Sequence, residues 1–205
     1  NLDANKIVLF YGQNEGYKKE EISKLLIANK NREIVKYSEN EILENSENLY
    51  NHILSESLFS QKKIIIVNRA SDKILKIIEY LNEKSFSDVF IIINAKNLEK
   101  KSKLRSFFEK SKEFIAIAFY PDNDQTLAKN ATLFFKENKI PMSQENINLV
   151  ISKCSGDRGI LENDLNKIKL FSLNKKKIST VELIKLISLI ENHNISELID
   201  NCLAK

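Results

Sequence analysis

Apolar residues in the first 120 positions follow two rhythms. Short runs rich in β-branched and aromatic residues, at 6–11, 33–37, 63–68, 88–94 and 114–120, read as strands. Between them apolar positions recur at helical spacing: Ile22, Leu25 and Leu26; Ile74, Ile77, Ile78 and Leu81; Leu104, Phe107 and Phe108. Each set marks one buried helix stripe. Strands apolar on both faces and joined by helices predict a mostly parallel sheet of five strands covered on both sides, because a parallel crossover needs a dozen or more residues. The fold class expected for this part is therefore α/β, doubly wound.

After Pro121 the strand rhythm stops. Leu127, Ala131, Phe134 and Phe135 mark one helix, and Ile147, Val150, Ile151 and Cys154 a second, with Ser143 placed as its N-cap. Gly156 suits the left-handed residue that ends the second helix, and Asp157 stands where the next needs an acceptor for its free amides. Leu161, Leu165 and Ile168 continue that third helix. The Ser179-Thr180-Val181-Glu182 spacing is a capping box ahead of a fourth, carrying Ile184 and Ile187. A further helix begins near Ile195. The expected organisation is an α/β domain over 1–122, a small all-α domain over 123–191, and over 192–205 the start of another helical domain in a longer protein.

Composition narrows the function classes. The chain has 205 residues and a formal net charge of +4, its 32 Lys and Arg nearly balanced by 28 Asp and Glu spread along its length. That permits contact with nucleic acid without indicating it, since a dedicated binder shows a clustered basic stripe. Lys100, Lys101, Lys103 and Arg105, and Lys175 to Lys177, are the nearest approaches to one, and such runs are usually solvated. Cys154 and Cys202 lack a CxxC spacing, and His52 and His193 have no metal-ligand neighbour. A reduced, cytoplasmic protein without metal or cofactor is expected. The apolar runs, such as Ile64 to Val67 and Val89 to Ile93, are too short to span a membrane. No catalytic triad or nucleophile elbow is present, so no catalytic residue is assigned.

The junction of the first strand and first helix, "FYGQNEGYKKEE" at 10–21, has the outline of a phosphate loop. A working loop reads G-x-x-x-x-G-K-[ST]: amides wrap the phosphates, the lysine meets the terminal ones, and the hydroxyl binds magnesium. Here Gly16 comes one residue too early after Gly12, and Lys18 and Lys19 are followed by Glu20 instead of Ser or Thr. Glu20 is expected to put negative charge where magnesium phosphate would sit. The third strand run ends in Asn68-Arg69, without the aspartate that holds magnesium in hydrolytic relatives. The expectation is a P-loop-like domain whose degenerate loop (Gly12, Gly16, Lys18, Lys19) binds no nucleotide.

Four stretches carry a family resemblance: Leu9 to Glu15; Ser57-Leu58-Phe59-Ser60 with Lys63 to Val67; Ala95 to Leu104; and Gly156 to Gly159 with Leu161, Glu162, Leu165 and Lys167. In this order and spacing the chain resembles an inactive AAA+ module, and more closely the delta subunits of bacterial DNA polymerase III clamp loaders. The resemblance implies a subunit without its own catalysis. Such subunits bind the ring-shaped sliding clamp (the beta subunit) and help hold it open during DNA replication, while sister subunits hydrolyse ATP. It also implies that Leu58 and Phe59, matching an apolar pair that inserts into a clamp pocket, are the clamp-binding residues. The other implied partners are the remaining loader subunits, through a C-terminal collar domain, and primer-template DNA in the assembled complex.

The residues themselves leave Leu58 and Phe59 open. Leu49 and Ile53 define one helix face, and adjacent residues lie about 100° apart around a helix, so the pair does not fit that stripe and one member should project outward. Both could instead tuck under the sheet edge. Likewise Arg158 stands where active AAA+ relatives place a sensor arginine, or merely begins a helix. Two other functions compete with clamp binding: an ATPase with an atypical loop, and a DNA-binding domain using the lysine patches.

Overall fold

The computed structural model describes residues 7–54, 62–84, 86–173 and 177–188. The chain divides into two compact units, one up to Tyr120 and the other from Pro121.

In the first unit, β1 (Ile7–Tyr11), β2 (Glu33–Ser38), β3 (Lys63–Ala70), β4 (Val89–Ala95) and β5 (Ile115–Ala118) form one sheet in the order β2-β3-β4-β1-β5. Every pairing is parallel. The helices are α1 (Glu15–Ala28), α2 (Glu39–Glu44), α3 (Ser46–Leu54), α4 (Leu75–Asn82), which follows a 3-10 turn at Asp72–Ile74, and α5 (Lys103–Lys110). Because side chains alternate across a strand, each central strand feeds two cores. Ile7, Leu9, Ile65, Val67, Ile91 and Ile93 pack with Ile42, Leu49, Ile53, Ile78, Leu81, Leu104 and Phe108 from α2 to α5. Val8, Phe10, Ile64, Ile66, Phe90 and Ile92 pack beneath Tyr17, Ile22, Leu25 and Leu26 of α1. Full burial of each such side chain contributes about 1.5–3 kcal/mol.

The expected α/β P-loop-like class and parallel sheet are what the structure shows, with three local differences. The end strands β2 and β5, each with one neighbour, are partly exposed where apolar faces were expected. Between β2 and β3 stands an additional short helix, α2, started by a full capping box: Ser38 Oγ accepts from the Glu41 amide while Glu41 accepts from the Ser38 amide. Finally, β3 runs past Asn68 to Ala70 by way of a register shift, with Arg69 at φ 61°.

The second unit comprises α6 (Asp124–Glu137), α7 (Gln144–Ser152), α8 (Arg158–Ser172) and α9 (Thr180–Ser188), around Leu127, Ala131, Phe135, Ile147, Val150, Leu161, Leu165, Ile168 and Leu183. Its helix starts follow the sequence. Ser143 Oγ accepts from the Asn146 amide, Asp157 Oδ1 accepts from the Gly159 and Ile160 amides, and Ser179 and Glu182 form the capping box. Gly156 has φ +80°, and a Cβ there would lie 2.5 Å from Pro121 Cβ, so both backbone angle and space demand glycine. Burial first, then the nearby Asp164 and Asp157 charges, pushes the Cys154 thiol up to about 12, which leaves it an inert core residue.

Candidate functional site at the carboxyl edge of the sheet

The β1–α1 turn consists only of residues 12–14, because β1 ends at Tyr11 and α1 already begins at Glu15. Gly16 is therefore a helical residue rather than part of a loop. Three residues are too few to wrap a phosphate chain, and those present are tied to the protein. Gly12 has φ +128°, and a Cβ there would stand 2.3 Å from the Phe119 carbonyl oxygen. This glycine serves the close approach of two backbone segments. The Gly12 amide donates to the Lys96 carbonyl, and the Asn14 amide to that of Phe119. Asn14 is fully buried; its Nδ2 donates to the Tyr120 carbonyl and its Oδ1 accepts from the Tyr17 amide. That last bond is an N-cap, which occupies a donor that a phosphate loop keeps for its ligand.

Lys18 completes the closure. Its side chain is 1% exposed, and its ammonium donates to Glu15 Oε1 at 2.8 Å and to the Ala95 carbonyl at the end of β4. A buried ammonium persists only when paired and hydrogen-bonded. Glu15 and Ala95 meet that requirement from within the fold. Lys19 is exposed on the helix surface. Glu20 does not stand at the turn as expected, because one helical turn later Lys24 draws its carboxylate away, at 2.6 Å. The acidic residue beside the turn is Glu15.

Next to the turn, at the carboxyl ends of β2, β3 and β4, lies a cleft of about 870 Å³ lined by Glu15, Lys36, Tyr37, Ser38, Glu41, Asn68, Arg69, Asn94, Ala95 and Lys96. This is the edge where open parallel sheets place their ligands. Two features mark it. Asn94 Nδ2 donates to Asn68 Oδ1 at 3.0 Å, whereas Asn94 Oδ1 is buried without a hydrogen-bond partner among the described residues. Arg69 adopts its left-handed backbone at the irregularity of β3. Glu41 is spent internally: hydrogen bonds from the Ser38 amide and hydroxyl hold its carboxyl below the usual range. Of these residues, the sequence had raised Asn68 and Arg69, as the missing aspartate, and Glu15, Ala95 and Lys96, as parts of the stretches of resemblance. A polar Asn94 closing an otherwise apolar central strand was the overlooked signal.

Leu58 and Phe59 lie outside the described residues, as does the region 192–205. In the lysine patch, Lys100, Lys101 and Lys103 are exposed, whereas Arg105 turns inward. It donates to Glu109 and the Leu98 carbonyl, and its guanidinium lies 4.8 Å from the Tyr11 ring centre. Burial, then the hydrogen bond to Glu109, pushes the Tyr11 hydroxyl up to about 12. Arg158 makes a two-pronged pair with Asp122, at 2.5 and 3.0 Å, at the start of α8. Among the described residues no group of three His, Cys, Asp or Glu is placed to hold a metal ion, and no helix is long and apolar enough to cross a membrane.

No protein-family profile and no curated protein matches the chain. Solved structures do. Domain III of the Thermotoga maritima replication initiation protein DnaA aligns over 90% of this chain and 85% of its own, with 13% identity and a TM-score of 0.56. A Thermotoga maritima RuvB mutant aligns over 91% of this chain at 10% identity and a TM-score of 0.60, and this chain spans only 62% of its length. The FIGL-1 AAA domain in complex with ADP aligns over 97% of this chain and 76% of its own, at 10% identity and a TM-score of 0.54. At such identities the likeness is one of fold: an AAA+-like α/β domain followed by helices.

Proposed function

We propose that the chain is a non-catalytic, AAA+-type subunit of a replicative clamp loader, of the delta kind, which binds the sliding clamp and helps open it for loading onto primed DNA. The observation that carries this reading is the closed β1–α1 turn. Lys18 is buried against Glu15 and Ala95, and the first helical turn is capped by Asn14, so the fold keeps the frame of an ATPase while spending its phosphate-binding groups on itself. An AAA+-like frame without that apparatus suits a subunit that works by holding a partner. The four resembling stretches name the partner, and Leu58 with Phe59 are the side chains that meet it. Adjacent aliphatic and aromatic anchors seated in a pocket typically dominate interface energy.

The test is binding to the sliding clamp. Leu58→Ala with Phe59→Ala should weaken it by at least about a hundredfold, since hot-spot truncations each cost about 2 kcal/mol or more. Unchanged affinity in the double variant would remove the clamp-binding assignment.

A further inference from the structure

Leu58 and Phe59 lie outside the described residues, but the chain on either side of them does not. α3 ends at Leu54, β3 begins at Lys63, and the two flanks are tied together at His52. Resting on the clamp-binding reading above, we propose that Tyr37, His52 and Lys63 are positioning residues for it: they pin both ends of the segment that carries Leu58 and Phe59, and so set how tightly that segment holds the sliding clamp.

The first pin acts on the side chain of His52. A hydrogen bond joins the Tyr37 hydroxyl of β2 to His52 Nδ1, and the two rings lie with centres 6.0 Å apart, tilted by 47°. One turn back along α3, the Asn48 carbonyl lies 3.4 Å from the same hydroxyl. Burial, then the Glu41 charge, holds the Tyr37 hydroxyl above its ordinary range, so it keeps its proton for these bonds. Leu49 and Ile53 bury the inner face of α3, and this pin fixes its last turn against the edge strand β2.

The second pin acts on the backbone. Lys63 is only 9% exposed, and its ammonium donates to the His52 carbonyl at 3.4 Å. Among the described residues it has no ion pair. A lysine held in this way meets the partial negative charge of the last helical carbonyls, so Lys63 closes α3 from the start of β3. The Lys63 amide in turn donates to the Asp88 carbonyl, and the Glu33 amide to that of Lys62, which fixes the second flank within the sheet.

His52 and Lys63 are eleven positions apart, a length that reaches more than about 30 Å when extended. The fold nevertheless holds both flanks at one place, and Leu58 and Phe59 stand midway between them in the sequence. Closing a segment at its ends removes part of its freedom in advance. A partner that binds the closed segment loses less entropy in ordering it, which raises affinity without any added contact.

Calorimetric titration of the full chain with the sliding clamp tests the pins. Tyr37→Phe removes only the hydroxyl, and Lys63→Met keeps the apolar stem while removing the ammonium. Each should weaken clamp binding by about fivefold, the scale of one hydrogen bond. His52→Leu should weaken it to a similar degree, and Tyr37→Phe should add little to His52→Leu because the two share one bond. In a chain that already carries Leu58→Ala and Phe59→Ala, Tyr37→Phe should change the residual affinity by less than about twofold, since no anchoring pair is left to position. Asp72→Asn, which breaks comparable bonds at the start of α5, should leave clamp affinity unchanged. Failure of the native chain to bind the clamp would overturn both the pins and the clamp-binding reading. Binding that Leu58→Ala with Phe59→Ala weakens, but that Tyr37→Phe and Lys63→Met leave intact, would overturn the pins alone. So would an equal loss in Asp72→Asn, or an undiminished effect of Tyr37→Phe in the chain without Leu58 and Phe59.

Discussion

The β1–α1 turn and the cleft beside it share one edge of the sheet, and they treat their polar groups in opposite ways. At the turn, the Gly12 amide, the Asn14 side chain and the Lys18 ammonium each find a partner inside the protein. In the cleft, Lys36, Arg69 and Lys96 have no ion pair, and Asn94 Oδ1 no hydrogen-bond partner, among the described residues. A nucleotide-shaped frame therefore does not locate a ligand; the accounting of donors and acceptors does. The turn that looks like a phosphate site is part of the core, and the less obvious strand ends hold what a ligand could use.

This contrast breaks first at Gly12. If the turn is a packing device, Gly12→Ala forces a Cβ to 2.3 Å from the Phe119 oxygen at a positive φ, and should cost more than about 3 kcal/mol of stability. Urea unfolding checks it. A near-neutral result would mean that the turn is free to rearrange. The next effect in size is at Lys18. Lys18→Met removes a buried ammonium and strands the Ala95 carbonyl, so a loss of about 2 kcal/mol of stability is expected. Unchanged stability would mean that Glu15 and Ala95 are not what holds this side chain.

The smallest expected effect sharpens the comparison from a third place on the same unit. Asp72 accepts hydrogen bonds from Ser102 Oγ and from the Lys103 and Leu104 amides at the start of α5. Burial alone would raise its carboxyl, but these bonds and the Lys103 charge outweigh it and hold it below the ordinary carboxylate range. A depressed carboxyl contributes its stability in full above the unfolded value of about 4 and loses it as pH falls through the lower folded value. Asp72→Asn should therefore cost about 1 kcal/mol at neutral pH, the scale of a helix-capping bond, with the difference vanishing on the acid side. Denaturation midpoints of both proteins across that range would show it.

Much of the fold was legible because its signals are local. The runs around Ile64 to Val67 and Val89 to Ile93 can only be buried strands, and Ser143, Asp157 and Ser179 mark helix starts by their own chemistry. The short glycine spacing was equally legible, and its local consequence is that Gly16 lies within α1. Partners distant in sequence were not. Lys18 meets Ala95 across 77 positions, and Asn68 meets Asn94 across 26, and no periodicity announces either contact. Glu20 was misplaced for the complementary reason: Lys24, one turn along, claims it locally. The cleft assembles residues from three strand ends, so only the sheet order brings it together.

The most direct measurement of the central claim, that the turn is closed to magnesium nucleotide, is equilibrium binding of a labelled ATP analogue with and without magnesium, for the native chain and Lys18→Met. The account predicts that magnesium brings no gain in affinity in either protein. Micromolar, magnesium-dependent binding abolished by Lys18→Met would contradict it.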